Sequence, residues 1–285
     1  MDIILIGDSI IDTFILTDDL GENPDDLKCL KIRASKVYSS LGGSLNIATN
    51  IQSLGGSCLY IGYHNTKIRD IFYDAGGKIN LVYRAPFHLM EEPIYTILRY
   101  INEKGSHLLR IDPTTQYVPI DLTVLPLGIY PEAKVVIISD YTLGTIRHNV
   151  VKQVQLRWPA AKIIIDSRDP RAFHGVRNVT FKMNESEYDK LSEGFRQANK
   201  TINNFLVTRG PKSVMFNPSE GLELRIIPPK ITVSDLTGAG DSFTAAYSIA
   251  LSEGIDDRNA IIKATKAASF SASQPGICQV KQGDL

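Results

Sequence analysis

Residues 233–251 read VSDLTGAGDSFTAAYSIAL. The first half of this stretch is polar and rich in glycine, whereas from Asp241 onward apolar residues recur at helical spacing. We therefore predict a flexible loop that leads directly into the N-terminus of a helix. Such a junction presents unpaired backbone N–H groups and the positive end of the helix dipole, which together favour a phosphate or a developing anion.

Asp241 is the unusual residue of this junction. A carboxylate there would repel a bound phosphate, but it suits a base that takes the proton from a hydroxyl group attacking that phosphate. Gly238 and Gly240 would let the backbone approach the anion closely. The combination indicates phosphoryl transfer to an alcohol. The ordinary alternative is that Asp241 caps the helix and the glycines form a turn, and spacing alone leaves both interpretations open.

The motif Asp-x-Thr-Gly-Ala-Gly-Asp at residues 235–241 resembles the C-terminal signature of the ribokinase-like sugar kinases, the phosphofructokinase-B family. The resemblance implies that Asp241 is the catalytic base and that the amides of Gly238, Ala239 and Gly240 form the anion hole. It also implies the family's fold, a three-layer α/β/α sandwich with a mostly parallel central sheet and a small β-strand lid.

Size and composition fit that class. At 285 residues the chain can bury a substantial core, and residues 1–285 are expected to form a single domain. Lys plus Arg equals Asp plus Glu at 31 each, so no net field would recruit nucleic acid or an anionic membrane. Three cysteines and five scattered histidines show no disulfide or zinc spacing. No apolar run is long enough to span a membrane, and we expect a soluble, cytoplasmic protein.

Short apolar runs alternate with helical patterns through the middle of the chain, which predicts βαβ units and a parallel sheet. The predicted strands cover residues 2–7, 57–62, 134–140, 162–166 and 179–183, and the predicted helices cover residues 145–157, 186–203 and 257–273.

Polar and glycine residues follow the first strand and precede the first helix. Ligands of open α/β sheets bind at the carboxyl edge, so carboxylates there can hold sugar hydroxyls, although they can equally end a strand or face solvent. The Gly-Asp-x-x-x-Asp and Gly-Gly-x-x-Asn motifs resemble the family's sugar-binding motifs. The resemblance makes the following residues binding candidates: Asp8, Asp12, Gly42, Gly43 and Asn46. Ser44-Leu45 stands where the family commonly has Ala-Ala.

Two segments are predicted to form the lid, at about residues 13–38 and 93–111. Residues 18–24 look like a loop, and residues 30–33 alternate like a half-exposed strand. We predict that the strands at residues 93–101 and 107–111 pair with residues 29–38. Residues 63–92 cannot be assigned. An edge strand in such a lid is a common contact between copies, so a homodimer is expected.

Asn184 and Glu187 lie one helical turn apart after a predicted strand, an arrangement that suits magnesium held through water. A capped helix with a surface glutamate is the alternative. The resemblance favours the metal, because Asn-x-x-Glu is the family's metal and phosphate motif. It further places ATP along Thr208, Gly210, Asn184 and Thr237. The small residues of the last predicted helix, among them Ala268 and Ser271, leave room for a flat adenine ring, and close helix packing explains them equally well.

Within the family, the chain looks closest to heptose 7-phosphate kinases, the kinase half of ADP-heptose synthases, through residues 22–24, 108–112 and 138–141. A His-x-Gly-His nucleotidyltransferase motif is absent, which favours a stand-alone kinase. The implied reaction is transfer of the ATP γ-phosphate to O1 of D-glycero-D-manno-heptose 7-phosphate. Basic residues in or beside the lid are candidates for the substrate's phosphate, namely Arg33, Lys36, Arg99 and Arg110.

Two alternatives remain at this stage. One is a kinase for another sugar, such as fructose or ribose. The other is a catalytically silent relative that binds a sugar or nucleotide, since no Gly-x-Asp element follows the strand at residues 57–62. A dinucleotide-binding oxidoreductase is disfavoured, because no Gly-x-Gly-x-x-Gly follows the first strand.

Overall fold

A computed structural model of the chain describes residues 2–23, 26–66, 68–70, 80–81, 94–114, 117–125, 132–147 and 149–285. The described strands are β1 (Ile3–Gly7), β2 (Ser9–Asn23), β3 (Asp26–Gly43), β4 (Cys58–Ile61), β5 (Asn80–Leu81), β6 (Thr96–Asn102), β7 (His107–Ile111), β8 (Val135–Asp140), β9 (Lys162–Ser167), β10 (Val179–Asn184), β11 (Asn204–Thr208), β12 (Val214–Asn217) and β13 (Leu224–Ile226). The described α-helices are α1 (Ser44–Ser53), α2 (Asn149–Arg157), α3 (Glu185–Asp189), α4 (Glu193–Asn199), α5 (Ala239–Ser252) and α6 (Asp257–Ser273).

The main sheet has the strand order β13-β12-β11-β10-β9-β8-β1-β4-β5. Its strands from β11 to β5 pair in parallel, while β12 and β13 add an antiparallel edge. The central strands β1 and β8 are buried along their whole length, which explains why they read as continuous apolar runs. The predicted mostly parallel sheet is therefore confirmed.

A second sheet, with the order β3-β2-β6-β7, stands apart from the main sheet. It contains both segments that were predicted as the lid. The prediction of a loop at residues 18–24 was wrong for the part that the structure describes, because β2 continues as a strand to Asn23. The polar residues there lack the alternation of a half-buried strand.

The predicted pairing within the lid was also wrong. Strand β6 pairs in parallel with β2, from Ile11 beside Thr96 to Thr17 beside Asn102, and β3 pairs with the other side of β2. The reason is burial: Phe14 of β2 is buried, which suits an inner strand, whereas residues 33–38 of β3 are exposed, as at a sheet edge.

Three further differences concern helices and short strands. The single helix predicted at residues 186–203 is divided into α3 and α4, because Ser192 caps a new helix by accepting from the Phe195 N–H. Strands β12 and β13 were not predicted. Most of residues 63–92 lie outside the described residues. The helix at residues 257–273 and the strand at residues 107–111 have the predicted bounds.

Among the described residues, no helix is long and apolar enough to cross a membrane. That residues 1–285 form one domain stays a prediction.

Candidate active site

The N-termini of α1 and α5 meet in one place, and each begins at a glycine with positive φ. Gly43 precedes α1 with φ 56°, and Gly238 precedes α5 with φ 82°. A Cβ added to Gly238 would lie 2.7 Å from Asn46 Nδ2, so the two helices approach closely only because this position has no side chain. The predicted loop-to-helix junction is therefore present, with a second helix N-terminus beside it.

Asp241 lies in the first turn of α5, buried and held at both carboxylate oxygens. Its Oδ2 accepts from Asn46 Nδ2 at 2.8 Å, and its Oδ1 accepts from the Tyr141 hydroxyl at 2.9 Å. Burial raises the pKa of Asp241 to about 6, with a further rise from Asp166, and the hydrogen bonds of Asn46 and Tyr141 act in the opposite direction. Such a carboxylate is ionised at neutral pH and still basic enough to accept a proton.

Lys182 supplies the cationic group behind this carboxylate. Its Nζ donates to Asp166 at 2.8 Å and to the Gly240 carbonyl at 3.3 Å, and Thr244 donates to the same Asp166 oxygen. Burial lowers the pKa of Lys182, but Asp166 outweighs burial and raises the pKa overall, so the ammonium stays charged. The buried charges at the start of α5 are therefore paired.

A cavity of about 330 Å³ opens in front of Asp241. Its polar lining consists of two carboxylates, three guanidinium groups, a phenol and the backbone around the glycines: Asp12, Gly42, Gly43, Arg99, Arg110, Tyr141, Arg168, Thr237, Gly238 and Asp241. The structure thus brings together residues from the lid, from the carboxyl edge of the main sheet and from both helix N-termini.

The arginines of the cavity differ in their partners. Arg99 Nε donates to Asp12 at 2.7 Å, and Arg110 binds Asp112 in bidentate fashion at 2.7 and 2.6 Å. Arg168 lies over the ring of Tyr141, 4.6 Å from its centroid. Since stacking leaves the N–H groups of a guanidinium available, Arg168 is the arginine best able to bind an added anion.

Two predicted sugar ligands do not line this cavity. Asp8 is fully buried, and its carboxylate accepts from the backbone N–H groups of Tyr141, Leu143 and Thr145. Asn46 is also fully buried, between Asp241 and Asn50. Their positions favour a supporting role rather than direct contact with a ligand, because their polar atoms are committed to the protein.

Of the other basic candidates, Arg33 and Lys36 are exposed and are not among the cavity-lining residues. Among the polar residues that line the cavity, the sequence analysis did not assign Tyr141 and Arg168. Both follow the carboxyl ends of neighbouring parallel strands, β8 and β9, and this position was the signal that could have found them.

Asn184 and Glu187 form a helix cap, which was the alternative to a metal site in the sequence analysis. The Asn184 side chain accepts from the Glu187 N–H at 2.9 Å, and Glu187 Oε2 accepts from the Asn184 N–H at 2.8 Å. This capping box is exposed and uses one oxygen of each side chain. The capping box does not use the second oxygen of Glu187, which can act as a hard oxygen donor. Glu187 also lies close enough to Lys182 for its charge to raise the pKa of that lysine, so this donor is near the buried charges. The donor set fits a magnesium ion bound through water.

The residues predicted for the nucleotide are only partly together. Thr208 pairs with Asn184 in adjacent strands, and Gly210 follows in a turn with φ 54°, where no atom of the described part of the chain lies within 4 Å of an added Cβ. Thr237 lines the cavity in front of Asp241 instead. Ser271 is fully buried and Ala268 half-buried in α6, so the prediction that Ser271 faces an adenine ring is not supported by its position.

Comparison with known proteins defines the class. The model of the pfkB family of carbohydrate kinases matches residues 125–282, more than half of the chain. The chain therefore belongs to this family of carbohydrate kinases.

Curated relatives named HldE match nearly the whole chain at low identity. Bifunctional protein HldE of Rhodopseudomonas palustris is 25% identical over 99% of this chain, and that of Nitrobacter hamburgensis is 23% identical over the same share. The chain spans 62% of the length of these curated relatives.

Solved structures share the fold at low identity. Phosphofructokinase-2 from Escherichia coli, in complex with substrates and products, superposes with a TM-score of 0.75 at 18% identity, covering 100% of this chain and 97% of that one. Ribokinase from Arabidopsis thaliana, complexed with ribose and ATP, gives 0.74 at 18% identity, covering 100% and 95%. The predicted ribokinase-like three-layer α/β/α fold is confirmed.

Proposed function

We propose that this protein transfers the γ-phosphate of ATP to a hydroxyl group of a sugar phosphate. The observation that carries the proposal is the position of Asp241, a buried carboxylate at the N-terminus of α5, at the wall of a cavity that also holds three arginines. A base beside an anion-stabilising helix end is the arrangement that phosphoryl transfer to an alcohol needs.

In the proposed reaction, Asp241 accepts the proton of the acceptor hydroxyl. That oxygen forms a bond to the γ-phosphorus, the bond from the γ-phosphorus to the bridging oxygen breaks, and ADP leaves. The N–H groups of the first turn of α5 stabilise the charge on the transferred group. Ala239 N–H already donates to the Leu236 carbonyl at 3.3 Å, so Gly238 and Gly240 are the better anion-hole candidates.

Magnesium, held by Glu187 and Asn184 through water, would neutralise charge on the nucleotide phosphates. Thr208 pairs with Asn184 at the ends of adjacent parallel strands and Gly210 follows two residues later, so Thr208 and Gly210 are the proposed contacts of the nucleotide.

The acceptor is proposed to carry a phosphate of its own. Three guanidinium groups and two carboxylates line the cavity, and a neutral sugar would leave Arg168 without an anionic partner in that space. The HldE relatives and the resemblance to heptose kinases support D-glycero-D-manno-heptose 7-phosphate, phosphorylated at O1, as the particular substrate.

The test is ADP release from ATP and magnesium against free and phosphorylated sugars, including heptose 7-phosphate. Asp241→Asn is expected to lower turnover roughly 10²-fold or more while leaving ATP binding intact. Asp256→Asn is the control, because Asp256 also lies at the start of a helix, but its carboxylate accepts from Asn259 and does not line the cavity. Near-normal turnover in Asp241→Asn, or no sugar-dependent ADP release by the wild type, would contradict the proposal.

We also propose a homodimer formed through the lid. Strand β7 is exposed along its length at one edge of the second sheet, and its Leu109 is 51% exposed. At the opposite edge, Val37 of β3 is 60% exposed. Light scattering after gel filtration should show a dimer that Leu109→Lys converts to a monomer, whereas Leu156→Lys on α2 should not. A dimer that persists in Leu109→Lys would contradict this interface.

A further inference from the structure

The loop after β8, residues 141–145, is held by two buried carboxylates. Asp8 accepts from the N–H of Tyr141 at 2.7 Å, of Leu143 at 3.2 Å and of Thr145 at 3.3 Å. Asp140 accepts from the Thr142 N–H at 2.9 Å and from the Ser167 hydroxyl at 2.8 Å. Four backbone N–H groups of a short loop are thus tied to two acidic side chains that are closed off from solvent.

The backbone of this loop is in a conformation that side chains rarely adopt. Thr142, a β-branched residue, has φ 63°, and Gly144 has φ 101°. A Cβ at Gly144 would lie 2.5 Å from the Tyr117 carbonyl oxygen. Since an unfavourable conformation persists only where its surroundings enforce it, the carboxylate anchors fix the loop in one arrangement.

This arrangement directs Tyr141 at Asp241. The Tyr141 hydroxyl donates to Asp241 Oδ1 at 2.9 Å, and Arg168 lies over the Tyr141 ring. Burial and then the charge of Asp241 raise the pKa of Tyr141 well above its ordinary value, so the phenol remains a hydrogen-bond donor throughout the working pH range. Because Asn46 holds the other oxygen, the carboxylate cannot rotate without losing a hydrogen bond.

We propose that Tyr141 is a positioning residue that fixes the direction in which Asp241 accepts the proton of the acceptor hydroxyl, with Asp8 and Asp140 anchoring the loop that carries it. This inference rests on the proposed function. It gives Asp8 a role that its buried position allows. It also explains why a tyrosine hydroxyl and an asparagine amide, rather than two positive charges, hold the base: neutral donors orient a carboxylate while lowering its basicity less than ion pairs do.

The first test compares Tyr141→Phe with Tyr247→Phe. Tyr247 is a matched control, since it is buried on α5 and its hydroxyl donates to Asp257 at 2.8 Å, away from the cavity. We expect Tyr141→Phe to lower kcat roughly 10-fold with an unchanged KM for ATP. The acid limb of its kcat/KM profile should move up by at least about 0.5 pH unit, because a hydrogen bond that favours the ionised carboxylate is lost. Tyr247→Phe should change neither.

Several charged groups face Asp241, and the variant leaves them in place: Asp166 on β9, Lys182 on β10 and Arg168 after β9. The shift of the acid limb therefore reports the phenol hydroxyl. An unchanged acid limb in Tyr141→Phe overturns the proposal, even if kcat falls, because that result describes a substrate contact or a packing role.

The second test does not depend on catalysis. Carbon-13 NMR of the aspartate carboxyl groups gives the titration of Asp241, assigned by the signal that disappears in Asp241→Asn. A higher titration midpoint in Tyr141→Phe than in the wild type and in Tyr247→Phe supports the inference, even if no sugar proves to be phosphorylated. Equal midpoints overturn it, even if the kinase activity is established.

Discussion

Replacing Gly238 with alanine should lower both the stability of the fold and the activity of Asp241, the proposed base, and a matched control separates the contributions to the loss of stability. Gly238 has φ 82°, and the added Cβ would lie 2.7 Å from Asn46 Nδ2. The left-handed conformation costs a residue with a side chain about 1–2 kcal/mol. Asn46 is fully buried and bonded to Asp241 and Asn50, so its displacement breaks a hydrogen bond to a carboxylate, worth about 1.5–3 kcal/mol.

The sum predicts a loss of roughly 2.5–5 kcal/mol in the free energy of unfolding for Gly238→Ala. Gly254→Ala is the matched control, because Gly254 has φ 80° just after the other end of α5, and no atom of the described residues lies within 4 Å of its added Cβ. It should lose only the conformational part, about 1–2 kcal/mol.

Urea unfolding measures this difference, and ADP release with the best acceptor measures the effect on the base. Turnover should fall roughly 10-fold or more in Gly238→Ala, because Asp241 loses the donor that orients it, and should be unchanged in Gly254→Ala. Equal destabilisation of the two variants, with turnover intact in both, would refute the reasoning that the glycine exists to admit Asn46.

Three more outcomes are expected. Arg168→Gln should raise the KM of a phosphorylated acceptor roughly 10-fold or more in steady-state kinetics and leave the KM of ATP unchanged. Arg171→Gln is the control, because the Arg171 guanidinium pairs with Asp169, and it should change neither KM. An equal rise in the acceptor KM of both variants would contradict the anion site. Glu187→Gln should raise the magnesium concentration needed for half-maximal rate. Thermal stability should not change, because glutamine also completes a capping box. An unchanged magnesium titration would exclude the metal role of Glu187. Burial raises the pKa of Asp140 to about 6, so between about pH 4 and 6 the folded state holds a proton that the unfolded state lacks, and stability falls as pH rises through that range. Asp140→Asn removes this pH dependence but also alters an anchor of the loop, so its free energy of unfolding relative to the wild type should be roughly 1–3 kcal/mol more favourable at pH 8 than at pH 4 in urea unfolding; the same difference at both pH values would contradict this origin.

Two kinds of element could be predicted from the sequence: strands that are buried on both faces, and junctions whose signals lie within a few residues of one another. Strands β1 and β8 are buried on both faces, so their composition alone identifies them. The junction at Gly238 was recognisable because glycine, a polar loop and an apolar helical pattern follow one another within a few residues. The pairing of β6 with β2 was not, because the choice of a partner strand depends on burial that is set by distant residues.

The candidate site shows the same division. Asp12 and Gly42 were predicted and line the cavity. Asp8, four residues before Asp12 in the same motif, is a carboxylate that accepts hydrogen bonds from a loop more than 130 residues later, and no local spacing distinguishes this from a ligand contact. Arg168 was missed because its guanidinium is placed at the cavity by stacking on Tyr141, which follows a different strand and lies 27 residues earlier in the chain.

The hairpin of β2 and β3 has a mechanical consequence. Its 15-residue strand β2 begins where Ser9 pairs with Gly43, at the point where the chain turns into α1, and at about 3.3 Å per residue it extends about 50 Å. A rotation of about 10° about this pivot would carry the far end through about 9 Å, while Asp12, three residues from the pivot, would move by less than about 2 Å. A large movement of the distant end of the hairpin would therefore be accompanied by only a small displacement of Asp12 and of the cavity that it lines.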